Sequence, residues 1–172
     1  MEHINNGEIF KIGDIEFIKV VEADDVITAV TKDTVFDMAF GKSANFAESK
    51  ILKKLKKEFL TKITAITGEE NVVEFDTELT TVDGVKSYGK VTSKISLPTL
   101  DFYREHAEIL DKYKLNTWWW LATAWSAEPH YNSSCVLCVS PHGSVDYCSC
   151  VNGLGVRPLL RFPSSIFVSC DE

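Results

Sequence analysis

Cysteine is the residue type whose spacing in this chain could do chemistry. Four of the five cysteines fall within sixteen residues, as Cys135-Val-Leu-Cys138 and Cys148-Ser-Cys150, with nine residues between the two pairs. Zn²⁺ takes four thiolate or imidazole ligands in a tetrahedron, and two close pairs on a short hairpin can supply them. Residues three apart on a regular strand point to opposite faces, so Cys135 and Cys138 reach one ion only through a bulge or knuckle near Cys135. Cys148 and Cys150, two apart, share a face. Without a bulge, His130, His142 or Cys170 must complete the set. The same spacing also suits buried thiols acting as small apolar side chains, or a pair of cross-strand disulfides. Four cysteines leave no coordination position for water, so the zinc expected here is a structural cofactor and not a catalytic one.

Other catalytic signatures are missing. Ser133-Ser134-Cys135 does not form a nucleophile elbow, no cysteine and histidine have a defensible catalytic spacing, and there is no phosphate-binding glycine loop. The chain therefore reads as a binding protein and not an enzyme. Its clearest candidate surface is the acidic run Glu69, Glu70, Glu74, Asp76, Glu78 and Asp83, which contains no basic residue. A formal net charge of −7 argues against direct nucleic-acid contact, which needs lysine and arginine, and suits a basic protein surface. Trp118, Trp119 and Trp120, with Trp125 just after, are expected as core; exposure of Trp118 or Trp125 would instead offer a sugar-stacking platform.

These residues need elements to hold them. The length of 172 residues suits one domain over 1–172, and 45% hydrophobic with 25% charged residues is the balance of a globular chain. The first ten residues carry Glu2 and Glu8 and no apolar run, and no stretch approaches a membrane span, so a cytoplasmic protein is expected, monomeric or weakly oligomeric. Alternation of Ile15 and Phe17 with Asp14 and Glu16 predicts a half-buried strand, and two or three strands cover Glu8 to Val30. Ile51, Leu52, Leu55, Phe59, Ile63 and Ile66 form one helical stripe within 46–66, with six lysines on the other faces. A polar insertion, about 69–96, holds strands around 72–75 and 91–97 that flank an Asp83-Gly84 turn. A short helix follows over 98–113. The tryptophan- and cysteine-rich region 117–170 is strand-rich, with a hairpin turning at Pro141-His142-Gly143 and final strands near 156–160 and 166–168.

Several of these spacings resemble one family. Ser49-Lys50-Ile51-Leu52 with Phe59-Leu60, then Trp119-Trp120-Leu121, Gly143-Ser144-Val145 and Gly155-Val156-Arg157-Pro158 are similar to the motifs of a bacterial and phage C-type-lectin-like domain family of uncharacterised function. The resemblance implies an irregular α+β fold of short antiparallel sheets and two helices, whose termini meet in a small sheet. It implies no activity, because such folds host unrelated functions. Ala122-Thr123-Ala124 stands where the family has Arg-Ser-Pro, and the four-cysteine hairpin is an addition. In overall character the chain also resembles anti-CRISPR proteins, small acidic inhibitors encoded by phages and prophages. That likeness implies a Cas9 partner in the bacterial cytoplasm, blocked at a DNA-handling surface by the acidic run. A lectin-like module for a carbohydrate or peptide is the alternative.

Overall fold

Period-two patterning in the N-terminal part produces an antiparallel meander of β1 (Ile9–Ile12), β2 (Ile15–Ala23) and β3 (Val26–Thr31). The computed structural model describes residues 3–166. The β2–β3 turn places Asp24 and Asp25 at φ 52° and 61°, a region that aspartate tolerates better than most residues. The last strand, β12 (Leu159–Pro163), pairs antiparallel with β3, and the short β7 (Ile95–Ser96) closes the order β1-β2-β3-β12-β7. The two ends of the described chain thus meet in one sheet. The expected strand at 166–168 lies almost wholly outside the described residues.

A second sheet has the order β10 (Val145–Ser149), β9 (Cys135–Val139), β8 (Trp119–Ala124), β11 (Gly153–Val156), β4 (Phe36–Ala39). Every residue of β8 is buried, because the strand carries apolar side chains on both faces. Trp120, Ala122 and Ala124 enter one core with Phe17, Phe40, Phe162 and the first helix; Trp119 and Leu121 enter another with Ile18, Val20 and the second helix. A third, two-stranded sheet pairs β5 (Phe75–Glu78) with β6 (Lys90–Ser93). The expected 91–97 strand is therefore two strands, serving different sheets. The strand expected at 72–75 forms at Phe75–Glu78, and the connection 79–89 to β6 makes two turns, one at Asp83-Gly84 with Gly84 at φ 87° and a second closed by Gly89 at φ 67°.

Ser49 starts the first helix by accepting a hydrogen bond from Leu52 N at 3.0 Å. Its segments are α1 (Lys50–Lys54), a π-helical turn Leu55–Phe59, and α2 (Leu60–Thr67). The apolar positions 51, 55, 59 and 63 are four apart, and in an α-helix such a row drifts around the axis. The underwound π turn cancels part of the drift, and all four stay buried. Ile66 departs from the expected stripe. It lies beyond the core against the β1–β2 turn, where a Cβ at Gly13 would be 2.8 Å from its Cδ1, and it is half exposed. The second helix, α3 (Leu100–Leu110), is capped by Thr99 and turns Tyr103 and Leu110 inward. No helix among the described residues is long and apolar enough to cross a membrane.

Candidate functional site

The closing motif Gly155-Val156-Arg157-Pro158 joins the two sheets. A Cβ at Gly155 would lie 2.5 Å from Thr34 Cγ2 and 3.1 Å from Trp118 O, so only glycine lets β11 come this close to β8. Arg157, 1% exposed, donates from Nε to Thr31 O at 2.7 Å and from Nη2 to Lys32 O at 2.8 Å and Tyr113 O at 3.1 Å. Its guanidinium lies 5.0 Å over the Trp119 ring. Burial lowers its pKa from 12.5 to about 10. Trp120 donates from Nε1 to Met38 O at 3.0 Å. These motif residues hold the fold together.

The cysteines sit on the expected hairpin, which pairs Cys138 with Asp146, Val136 with Cys148 and Cys135 with Ser149. Directly opposed residues of antiparallel strands share a face. Cys138 and Cys148 therefore lie on the face of Val136, and Cys138, Cys148 and Cys150 all pack with the larger core. Cys138 Sγ and Cys148 Sγ are 3.4 Å apart. Burial, and then the neighbouring Cys148 thiol, push the Cys138 thiol well above its ordinary pKa. Strand β9 is regular in its pairing with β10 from Cys135 to Val139, and its irregularity falls on the other side, opposite Trp120 to Ala124. Cys135 consequently belongs to the opposite face. His142 is exposed in the hairpin turn, and His130 is engaged by Asp83. Among the described residues no three His, Cys, Asp or Glu side chains converge as a metal-holding group. A four-thiolate zinc site does not fit this arrangement unless Cys135 turns about its strand or a further donor enters; Cys170 lies outside the described residues.

The acidic run is less acidic in space than in sequence. Period two puts Asp76 and Glu78 of β5 on one face, and pairing brings Thr92 and Lys90 of β6 opposite them. Asp76 accepts from Thr92 Oγ1 at 2.6 Å and from Lys90 Nζ at 3.0 Å, and these bonds lower its pKa. Lys94 Nζ bonds Glu69 O at 2.9 Å and lies 3.5 Å from its carboxylate. Asp83 accepts from Thr81 Oγ1 at 2.6 Å, from Ser126 Oγ at 2.7 Å and sits 3.1 Å from His130 Nδ1. The Thr81 bond first, then those of Ser126 and His130, hold its carboxyl at about 2, against an ordinary 3.8. Among the described residues Glu70, Glu74 and Glu78 form no ion pair.

A further surface forms where β8 runs on into Trp125. Trp125 is 43% exposed and packs in a tilted pair against Tyr147, 51% exposed, with ring centroids 4.9 Å apart and planes at 33°. Tyr131, Val145 and Val151 are also exposed. Tyr147 and Val145 belong to β10, the outermost strand of its sheet, whose far edge no described strand covers. Nothing in the sequence near Tyr147 marked it, because its exposure follows from being on the last strand of the sheet. Trp118 is exposed at 36%, so two of the four tryptophans lie at the surface. Comparison with protein-family models, with curated proteins and with solved structures finds no significant match to this chain.

Proposed function

We propose that this chain works by binding a protein partner through the aromatic face around β10. The exposed Trp125 and Tyr147, in ring contact beside the uncovered edge of β10, carry the reading. Exposed aromatics of this kind mark interaction sites, and an uncovered strand edge offers backbone groups to an extended segment of another chain. A net charge of −7 favours a basic partner. The test is a photo-crosslinking residue at Tyr147 in cells that express the chain, with one at Lys57 as control. One discrete protein adduct, given by the first and absent from the second, supports the reading. No adduct, or the same adducts at both positions, overturns it.

The narrower form of the proposal is an anti-CRISPR-type inhibitor of Cas9 on a lectin-like fold. Small size, acidity and the unpaired Glu70, Glu74 and Glu78 support it, while the engagement of Glu69, Asp76 and Asp83 limits the charge the acidic run can present. Purified Cas9 tests this form: cleavage of target DNA is blocked by the wild-type chain and restored with Glu70, Glu74 and Glu78 changed to Lys. Uninhibited cleavage removes the Cas9 assignment and leaves the broader reading in place. Exposure of Trp118 and Trp125 keeps the lectin-like alternative open, and quenching of tryptophan fluorescence by added oligosaccharides would support it.

A further inference from the structure

A cavity of about 720 Å³ opens between β5, the turn after it, the N-terminal end of α3 and β12. That volume lies in the range of small-molecule sites. Its apolar lining comes from Phe75, Leu97, Leu100, Phe102 and Leu159. Arg161 lines it too, on a strand that pairs with β3 and is bonded through its own carbonyl to Val73 N at 2.8 Å. The guanidinium stacks 4.7 Å over the Phe75 ring, and its Nε is buried without a hydrogen-bond partner. A buried guanidinium N–H normally finds an acceptor, so this one is held ready for an acceptor that the described chain does not supply.

The charges nearby define that acceptor. Lys86 and Arg104 also line the cavity and form no ion pair among the described residues. Of the lining carboxylates, Asp76 is already held by Lys90 and Thr92, which leaves Glu78 and Asp101 facing three cations. Three amides at the start of α3 are already engaged: Leu100 N donates to Thr123 Oγ1, Phe102 N to Thr99 Oγ1 and Tyr103 N to Thr99 O. A phosphate dianion would meet Glu78 and Asp101 with its second charge, whereas a single planar carboxylate matches the guanidinium fork.

We propose that this cavity binds a ligand with one carboxylate on an apolar body, the carboxylate taken by Arg161 and the body lodged against Phe75, Leu100 and Phe102. The site is independent of the β10 face. NMR titration of the full chain tests it, using hippurate and a short acetylated peptide with a free C-terminal phenylalanine, each beside its amide. Free acid and peptide C-terminus are the two sources of the group, and the better binder identifies which the cavity takes. At least one acid should shift the Arg161 Nε–H resonance and the amides of Phe75 and Leu100 with saturation, and its amide should bind about tenfold more weakly or worse. Arg161→Gln should remove that preference, and Arg161→Lys, checked by its spectrum for an intact fold, should weaken it by about the same factor. An amide that binds as well as its acid, shifts confined to other surfaces, or no saturation by any of the four probes at about 10 mM would overturn the assignment.

Discussion

Replacement of Arg157 by Met is the sharpest test of how the two sheets are joined. The guanidinium makes three hydrogen bonds to backbone carbonyls and stacks on Trp119. Charge-assisted bonds of this kind contribute about 2 kcal/mol each, and a desolvated cation over an indole about 1.5 kcal/mol. Opposing them is burial of the charge, worth roughly 3 kcal/mol for a pKa lowered from 12.5 to about 10. A side chain of similar volume that cannot donate should therefore lose about 4 kcal/mol. Urea unfolding followed by tryptophan fluorescence measures this, and at an m-value of about 2 kcal/mol/M the midpoint should fall by about 2 M. Arg157→Lys keeps the charge but cannot span Thr31, Lys32 and Tyr113 together, so it should lose about half as much. A loss under about 1 kcal/mol in the Met variant, or a Lys variant equal to wild type, would refute the role given to this residue.

Other outcomes follow from the same geometry. Because folding lowers the Asp83 pKa, its tie to Thr81, Ser126 and His130 contributes in full above the ordinary 3.8 and is lost as pH falls through about 2. Its carboxyl carbon should titrate near pH 2 by ¹³C NMR, and Ser126→Ala should move that inflection upward; an inflection near 4 in the wild type would contradict the hydrogen bonding. In the reduced protein without added metal, iodoacetamide should label the partly exposed Cys135 early and the buried Cys138 last. Zinc that protects Cys135 together with Cys138, Cys148 and Cys150 would show that Cys135 can turn to complete a four-thiolate site, whereas unchanged labelling would leave the cysteines as thiols. Gly155→Ala should destabilise the chain by about 2 kcal/mol, since its methyl meets both Thr34 and a backbone carbonyl. A neutral result by urea unfolding would mean that the contact between β8 and β11 can relax.

Patterns short in sequence were legible in advance. The alternation around Phe17, the stripe from Ile51 to Ile63 and the hairpin at Pro141-His142-Gly143 each reflect one element's own period, and each forms where the spacing put it. Even the difficulty with Cys135 was visible, since side-chain alternation on β9 needs no knowledge of its neighbours. What escaped depends on pairing across distance. The acidic run reads as one negative patch until β6 brings Lys90 opposite Glu78, with Lys94 near Glu69, and no local pattern fixes that register. Ile66 continues the stripe in sequence but lies past the edge of the core that the stripe covers. The cavity around Arg161 draws on four separated stretches of chain, and only their packing shows that Arg161 Nε has no acceptor. Tyr147 is exposed because no described strand follows β10 at its edge, which is a property of sheet order and not of the residues themselves.

Once crosslinking has supplied a partner, its dissociation constant for the wild-type chain and for the Trp125→Ser, Tyr147→Ser double variant tests the binding face most directly. Central aromatic anchors contribute about 2 kcal/mol or more each, so the double variant should bind on the order of 1,000-fold more weakly while its urea midpoint stays near that of the wild type. An unchanged dissociation constant in a folded double variant would contradict a binding role for the β10 face.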